Sequence, residues 1–129
     1  MSTQINLSKT VLLVDDLDLL RKMVRDSLES MGITVLEASN AAEALHTTRT
    51  HPGTIHLLLI DIEMPGMSGW ESARVIARLK PGIRILYMSA GISRQEWEDN
   101  NQEPAGTYFI QKPFRLEELK ALLMTIFGE

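Results

Sequence analysis

Short, continuous apolar runs recur along this chain, and they constrain its fold more than any other feature of the sequence. Each run has four to six residues, and several end at an acidic, hydroxyl or basic side chain. The runs, in chain order, are Val11–Val14, Ile33–Leu36, Leu57–Ile60, Ile83–Met88 and Thr107–Ile110. Runs of this length suit strands that are buried on both faces, as in a parallel sheet.

Segments with helical periodicity separate these runs. In the first and the last, apolar residues recur three or four positions apart, at Leu20, Val24, Leu28 and Met31, and at Leu116, Leu119, Leu123 and Ile126. Three further helix starts carry a capping-box pair, namely Asn40 with Glu43, Ser68 with Glu71, and Ser93 with Glu96. Between Ser93 and Pro104 we expect only a short helix, because several residues there are poor helix formers.

The alternation of strand and helix, repeated five times, predicts an α/β fold with a doubly wound, five-stranded parallel sheet and helices on both faces. The length of 129 residues suits a single domain. We assign the domain to residues 10–129 and expect residues 1–9, which are mostly polar, to form a flexible N-terminal segment.

Composition narrows the possible partners. The net charge of −4 argues against direct nucleic-acid binding. The chain has no cysteine, which fits a reducing compartment. The longest apolar run, Leu57–Ile60, is far too short to cross a bilayer. We therefore expect a cytoplasmic protein without membrane insertion.

Polar side chains follow the predicted strands where each one ends. Asp15 and Asp16 follow the first strand, Asp61 the third, Ser89 the fourth and Lys112 the fifth. Ligands of doubly wound sheets bind at this carboxyl edge. Three clustered carboxylates repel one another unless a cation joins them. We predict Mg²⁺ rather than Ca²⁺, because the protein ligands are few and Mg²⁺ keeps several waters.

An ionised aspartate beside Mg²⁺ can attack phosphorus and form an aspartyl phosphate. In this arrangement Asp61 is the nucleophile. Lys112 can pair with phosphoryl oxygens as a point charge, and Ser89 can donate one hydrogen bond to the same oxygens. The strand ends thus supply the groups that phosphoryl transfer requires.

These residues lie in four stretches that resemble the receiver domain of two-component response regulators, of the chemotaxis type. The stretches are residues 11–16, 59–69, 88–90 and 111–114, and the resemblance extends from about Thr10 to Phe127. It implies a flavodoxin-like (βα)5 fold with strand order 2-1-3-4-5. It also implies a switch that is not an enzyme, beyond catalysing its own phosphorylation and dephosphorylation.

The resemblance implies a metal site around the phosphoacceptor Asp61. Asp16 and Asp61 would bind Mg²⁺ through their side chains, and Asp15 would help largely through water. The backbone carbonyl of Glu63 would complete the protein ligands. The Glu63 side chain adds negative charge beside the site, so the lifetime of the phosphoryl group is left open.

The resemblance also implies switch residues. Ser89 would move toward the phosphoryl group, and Phe109 stands where the family has its switch aromatic. Lys112 and Pro113 would be joined by a cis peptide bond. A histidine kinase or phosphotransfer protein would donate the phosphoryl group, and an effector would bind the face formed by the fourth helix, fifth strand and fifth helix. The chain could be a stand-alone receiver or a module of a hybrid kinase or longer regulator.

Other interpretations remain open from the residues. The chain could be a receiver-like interaction module that works without phosphorylation. It could, less favourably, be a phosphatase of the haloacid dehalogenase type, although Glu63 stands where that class needs a second aspartate. Asp15 and Asp16 could only cap a helix. Trp97 could contact a partner or cover the edge of the sheet, and Glu37 is interpreted as a surface charge.

Overall fold

A computed structural model describes residues 7–100 and 105–128. Five strands alternate with five helices in these residues. The strands are β1 (Thr10–Val14), β2 (Thr34–Ala38), β3 (Leu57–Asp61), β4 (Arg84–Ser89) and β5 (Thr107–Gln111). The helices are α1 (Asp18–Glu29), α2 (Ala41–Thr50), α3 (Gly69–Leu79), α4 (Arg94–Asn100) and α5 (Leu116–Gly128). Each strand matches one of the apolar runs to within two residues.

The five strands form one parallel sheet in the order β2-β1-β3-β4-β5. Both the doubly wound architecture and the strand order that the resemblance implied are confirmed. Because the strands are parallel, their carboxyl ends lie along one edge. Asp61 of β3 is paired with Met88 of β4, and Ser89 with Gln111 of β5.

Two hydrophobic cores lie on opposite faces of the sheet, which explains why the strands are continuous apolar runs. Along β1, Leu12 and Val14 face one core, whereas Val11 and Leu13 face the other. Helices α1 and α5 cover the second core with Val24, Leu28, Leu119, Leu123 and Ile126. The first core is covered from α2, α3 and α4 by Ala44, Ala73, Ile76 and Trp97.

Three helices begin at the predicted caps. The side chains of Asn40, Ser68 and Ser93 accept hydrogen bonds from the backbone N–H groups of Glu43, Glu71 and Glu96, at 2.9, 3.3 and 3.1 Å. Helix α1 differs, because its cap position is Leu17 and carries no side-chain cap. Asp15 and Asp16 precede this cap position, and Asp15 Oδ1 accepts a hydrogen bond from the backbone N–H of Leu17 at 2.9 Å. Asp15 therefore supports the turn that leads into α1 without occupying the cap position itself.

Two predicted segments extend beyond the described residues. Residues 1–6 of the N-terminal segment lie outside them, while the backbone N–H of Leu7 donates to the carbonyl of Met31 at 3.1 Å. The short helix expected before Pro104 is α4, and residues 101–104 again lie outside the described part. None of the described helices combines the length and apolar character needed to cross a membrane.

Candidate functional site

Four of the predicted site residues meet at the carboxyl edge of the sheet. Asp15, Asp61, Ser89 and Lys112 follow or end the neighbouring strands β1, β3, β4 and β5. The backbone N–H of Lys112 donates to the carbonyl of Ser89 at 2.8 Å, which holds the loop after β5 against the end of β4. The peptide bond between Lys112 and Pro113 is cis.

The Lys112 side chain bridges two buried carboxylates. Its Nζ lies 2.8 Å from Asp15 Oδ2 and 3.0 Å from Asp61 Oδ2. Asp15 is fully buried and Asp61 is 4% exposed. Two anions at this depth would repel each other strongly without a cation, because the interior screens charge poorly. The lysine therefore joins two strand ends, 97 and 51 residues away in sequence, into one charged unit.

Burial and charge act against each other in this unit. Burial raises the pKa of the Asp61 carboxyl, which the hydrogen bond from Lys112 offsets only in part, while the charge of Asp15 raises it further. Burial alone would lower the pKa of Lys112, but Asp15 and Asp61 together outweigh it and hold that pKa above 10.5. Lys112 is thus a full positive charge at neutral pH.

Asp16 adds an exposed carboxylate to the two buried ones. One oxygen from each of Asp15, Asp16 and Asp61 lies within 4.8 Å of the others. A carboxylate oxygen has two lone pairs, so the hydrogen bonds from Lys112 leave further acceptor capacity. Three such groups, one of them open to solvent, are a donor set that fits a hard cation such as Mg²⁺.

The Glu63 side chain forms contacts that the sequence did not indicate. Its carboxylate accepts a hydrogen bond from the Ser89 hydroxyl at 2.5 Å, and from the backbone N–H groups of Ala90 and Gly91 at 3.1 and 3.4 Å. Its own backbone N–H donates to Asp61 Oδ1 at 3.0 Å. Glu63 is therefore connected both to Asp61, the candidate phosphoacceptor, and to Ser89, the candidate switch residue.

Gly91 makes room for this carboxylate. A Cβ atom at position 91 would lie 3.4 Å from Glu63 Cδ, which is tighter than most such contacts. The absence of a side chain at Gly91 is the one feature of the sequence that could have pointed to a close approach here.

A second group of residues that the sequence did not indicate braces the loop after β1. Arg21 of α1 donates to the backbone carbonyl of Asp15 at 2.8 Å and to Glu37 of β2 at 3.1 Å. Arg25 donates to the other oxygen of Glu37 at 2.8 Å. Glu37 is thus a bridge between α1 and β2, where the sequence suggested only a surface charge. The spacing of the two arginines by one helical turn was the available signal.

Phe109, the candidate switch aromatic, lies in an aromatic column. Its ring is 2% exposed and stacks on Trp97 of α4, with ring centroids 5.3 Å apart. Trp97 stacks in turn on Trp70 of α3 at 5.6 Å. Trp97 is itself buried, so it covers the sheet face and is not presented on the surface. Arg94 of α4 also donates to the Phe109 carbonyl at 2.8 Å.

A cavity of about 620 Å³ lies at the opposite edge of the sheet. Its lining includes Lys9, His56, Arg84 and Phe127, and none of the described residues contributes a carboxylate side chain to it. It is thus separate in position and chemistry from the acidic edge.

The fold and the acidic edge together define a doubly wound α/β protein with a lysine-bridged carboxylate site. Comparison with known protein families gives the same result, since the model of the response regulator receiver domain matches residues 11–124. The chain belongs to this family and is a receiver domain of two-component systems.

The relatives that match the chain include proteins of about its own length and much longer sensor kinases. It is 31% identical to chemotaxis protein CheY of Bacillus subtilis over 118 residues, which are 90% of this chain and 96% of that protein. It is 31% identical to the response regulator receiver protein CpdR of Brucella abortus, over 86% of this chain and 90% of the relative. It is 33% identical to sensor kinase CckA of Brucella abortus over 92% of this chain, but only 12% of the kinase.

Solved structures agree with the fold. A response regulator receiver protein from Sinorhizobium medicae superimposes with a TM-score of 0.78 at 26% identity, over 93% of this chain and 94% of that one. The receiver domain of HemR from Leptospira biflexa, described as non-phosphorylated, gives a TM-score of 0.81 at 26% identity over 94% and 95%. The chain therefore matches most of the length of the receiver proteins, but only about an eighth of the length of sensor kinases such as CckA.

Proposed function

We propose that Asp61 accepts a phosphoryl group and that the added charge changes the partner preference of the domain. The observation that carries this proposal is the bridge from Lys112 to buried Asp15 and Asp61, at the same edge of the sheet as Ser89, whose carbonyl accepts from the Lys112 N–H. A buried aspartate held beside a fixed ammonium group and a hydroxyl donor is suited to receive a dianionic group, since transfer depends mainly on position and charge neutralisation.

The transfer is a displacement at phosphorus. A carboxylate oxygen of Asp61 forms the new bond to phosphorus, while the bond from phosphorus to the imidazole nitrogen of the donor histidine breaks. Lys112 pairs with the phosphoryl oxygens throughout. Mg²⁺, held by Asp15, Asp16, Asp61 and the carbonyl of Glu63, would neutralise charge on the transferring group.

The donor is a histidine kinase or a phosphotransfer protein. Support comes from relatives named as sensor kinases, such as CckA of Brucella abortus and CheAY of Helicobacter pylori, which contain a segment similar to this chain. The kinase activity in those names belongs to the relatives.

The readout passes through Ser89 and Phe109 to α4. Phosphorylation adds negative charge beside Ser89, and Phe109 is coupled to α4 through stacking on Trp97 and the hydrogen bond from Arg94. A rearrangement at the end of β4 would thereby move α4 relative to β5 and α5. This is a population shift between two packings of the α4-β5-α5 face, where an effector would bind.

Asp61→Asn tests the assignment directly. Incubated with acetyl phosphate and Mg²⁺, the unsubstituted protein should gain one phosphoryl group in intact-mass measurements, while Asp61→Asn should gain none. Asp26→Asn, an exposed position on α1, is the matched control and should be phosphorylated normally. Phosphorylation of the Asp61→Asn protein would show that another residue is the acceptor.

A further inference from the structure

The Ser89 hydroxyl has a single proton, and that proton is donated to Glu63 at 2.5 Å. The oxygen of the same hydroxyl accepts a hydrogen bond from the backbone N–H of Ile92 at 2.8 Å. Ser89 is fully buried, so its geometry is set by these partners. A hydroxyl with one proton cannot donate to Glu63 and to a phosphoryl oxygen at the same time.

Three donors converge on the Glu63 carboxylate. The Ser89 hydroxyl and the N–H groups of Ala90 and Gly91 all follow the end of β4, and together they form an anion cradle. The cradle lies beside the end of β3, because Glu63 also contacts Asp61 through its backbone N–H at 3.0 Å. A phosphoryl group on Asp61 that engages Ser89 must therefore use a donor of this cradle.

We propose that the Glu63 carboxylate is an internal competitor, which occupies this anion cradle in the unphosphorylated protein and must leave when Asp61 is phosphorylated. This inference rests on the proposed function of Asp61. It assigns to the Glu63 side chain a role in holding the resting state, separate from any role of its backbone carbonyl in binding metal.

Two features allow the competitor to leave. Glu63 is exposed, so water can replace its hydrogen bonds when the side chain swings out. A phosphoryl group brings negative charge to the same cradle, and the two anions then repel each other. The groups that remain behind are donors, which suit the phosphoryl oxygens as well as they suit a carboxylate.

The length and the charge of the side chain at position 63 can be varied separately. Glu63→Asp keeps the negative charge but is one methylene shorter, so it no longer spans the distance to all three donors. Glu63→Gln loses the charge but keeps the length, and its amide oxygen still accepts from Ser89. Gly91→Ala keeps the glutamate and narrows its space, because the new Cβ atom presses against Glu63 Cδ.

The test is binding of beryllofluoride, a phosphoryl mimic, at saturating Mg²⁺ by isothermal titration calorimetry. Occupancy of the cradle predicts that Glu63→Asp binds about 10-fold more tightly than the unsubstituted protein, the equivalent of one net hydrogen bond. Gly91→Ala should shift in the same direction by less. If charge alone matters, Glu63→Asp will match the unsubstituted protein and Glu63→Gln will bind more tightly, and that result overturns the proposal.

A second measurement uses the free protein without Mg²⁺ or mimic. The amide proton resonances of Ala90 and Gly91 should move upfield, and their hydrogen exchange should accelerate, in Glu63→Asp. Unchanged amides would mean that the contact does not exist in solution, and the proposal would fail. Failure of the unsubstituted protein to bind beryllofluoride at all would instead remove the proposed function of Asp61, and the amide signals distinguish the two cases.

Discussion

The two halves of the candidate phosphoryl site are built differently. In the lysine half, Lys112 joins Asp15 and Asp61, and the two aspartates are almost fully buried. In the glutamate half, exposed Glu63 holds Ser89, Ala90 and Gly91 through hydrogen bonds alone. Both halves place a carboxylate against donors, so they differ mainly in their access to water.

That difference in solvent access decides which half can change. Breaking a buried ion pair leaves a charge that nothing compensates, at a cost of roughly 3–5 kcal/mol. Hydrogen bonds to an exposed carboxylate are exchanged for water at a net cost of about 1 kcal/mol or less. A site with one fixed half and one exchangeable half can hold Asp61 in place and still reorganise around a new anion.

Lys112→Ala would remove the cation from the lysine half, which is the buried half of the site. Asp15 and Asp61 would then face each other without a cation, and the free energy of unfolding at neutral pH should fall by about 3 kcal/mol. Urea unfolding followed by circular dichroism, in EDTA, measures this. Lys22→Ala, at an exposed position on α1, is the control and should leave stability nearly unchanged. Equal effects of the two substitutions would mean that the bridge does not stabilise the fold.

Arg21→Ala tests whether the hydrogen bonds of Arg21 to the Asp15 carbonyl and to Glu37 stabilise the lysine half. The substitution removes the hydrogen bond to the Asp15 carbonyl and the bridge to Glu37, and should lower the free energy of unfolding by about 1.5 kcal/mol. Arg25→Ala breaks a bond to the same Glu37 without touching Asp15, so its effect should be smaller. The opposite order of the two effects would contradict a brace at Asp15.

Asp61→Asn should stabilise the protein, in contrast to Lys112→Ala. Burial raises the pKa of Asp61 above 3.8, so the folded state favours the protonated acid. The contribution of Asp61 to the free energy of unfolding is therefore greatest below pH 3.8, and it falls as the pH rises through the pKa of the folded state. Asparagine does not titrate, so its advantage should be absent below about pH 4 and should grow as the pH rises from there to 7, in EDTA. A pH-independent difference in urea unfolding would argue against a buried, titrating Asp61.

Glu63→Gln gives the smallest change in stability. Because Glu63 is exposed, the free energy of unfolding should change by no more than about 0.5 kcal/mol. Thermal unfolding in parallel with the unsubstituted protein measures this. A loss comparable to that of Lys112→Ala would remove the distinction between the two halves.

The lysine half could be predicted from the sequence, because its geometry follows from the sheet. Asp15 and Asp61 directly follow apolar runs and Lys112 comes two residues after one, and parallel strands bring such positions to one edge whatever the loops do. The order of the strands came from the family resemblance. The presence of Asp61 and Lys112 at the matching strand ends also argued from the sequence against a role of Asp15 and Asp16 as helix caps alone.

The contacts of the glutamate half could not be predicted in this way. They depend on the conformations of two loops, after β3 and after β4, and no periodicity describes either loop. The same limit applies to Glu37, whose partners are 16 and 12 residues distant on α1. Trp97 is a related case, since its burial depends on how the seven residues of α4 pack on the sheet.

The aromatic column has a practical consequence. The chain has two tryptophans, Trp70 and Trp97, and they stack on each other with ring planes 4° apart. All tryptophan fluorescence of this protein therefore originates in one aromatic column, which spans α3 and α4 and contacts Phe109. A displacement of α4 changes the environment of both emitters together, so intrinsic fluorescence is a label-free gauge of the position of α4.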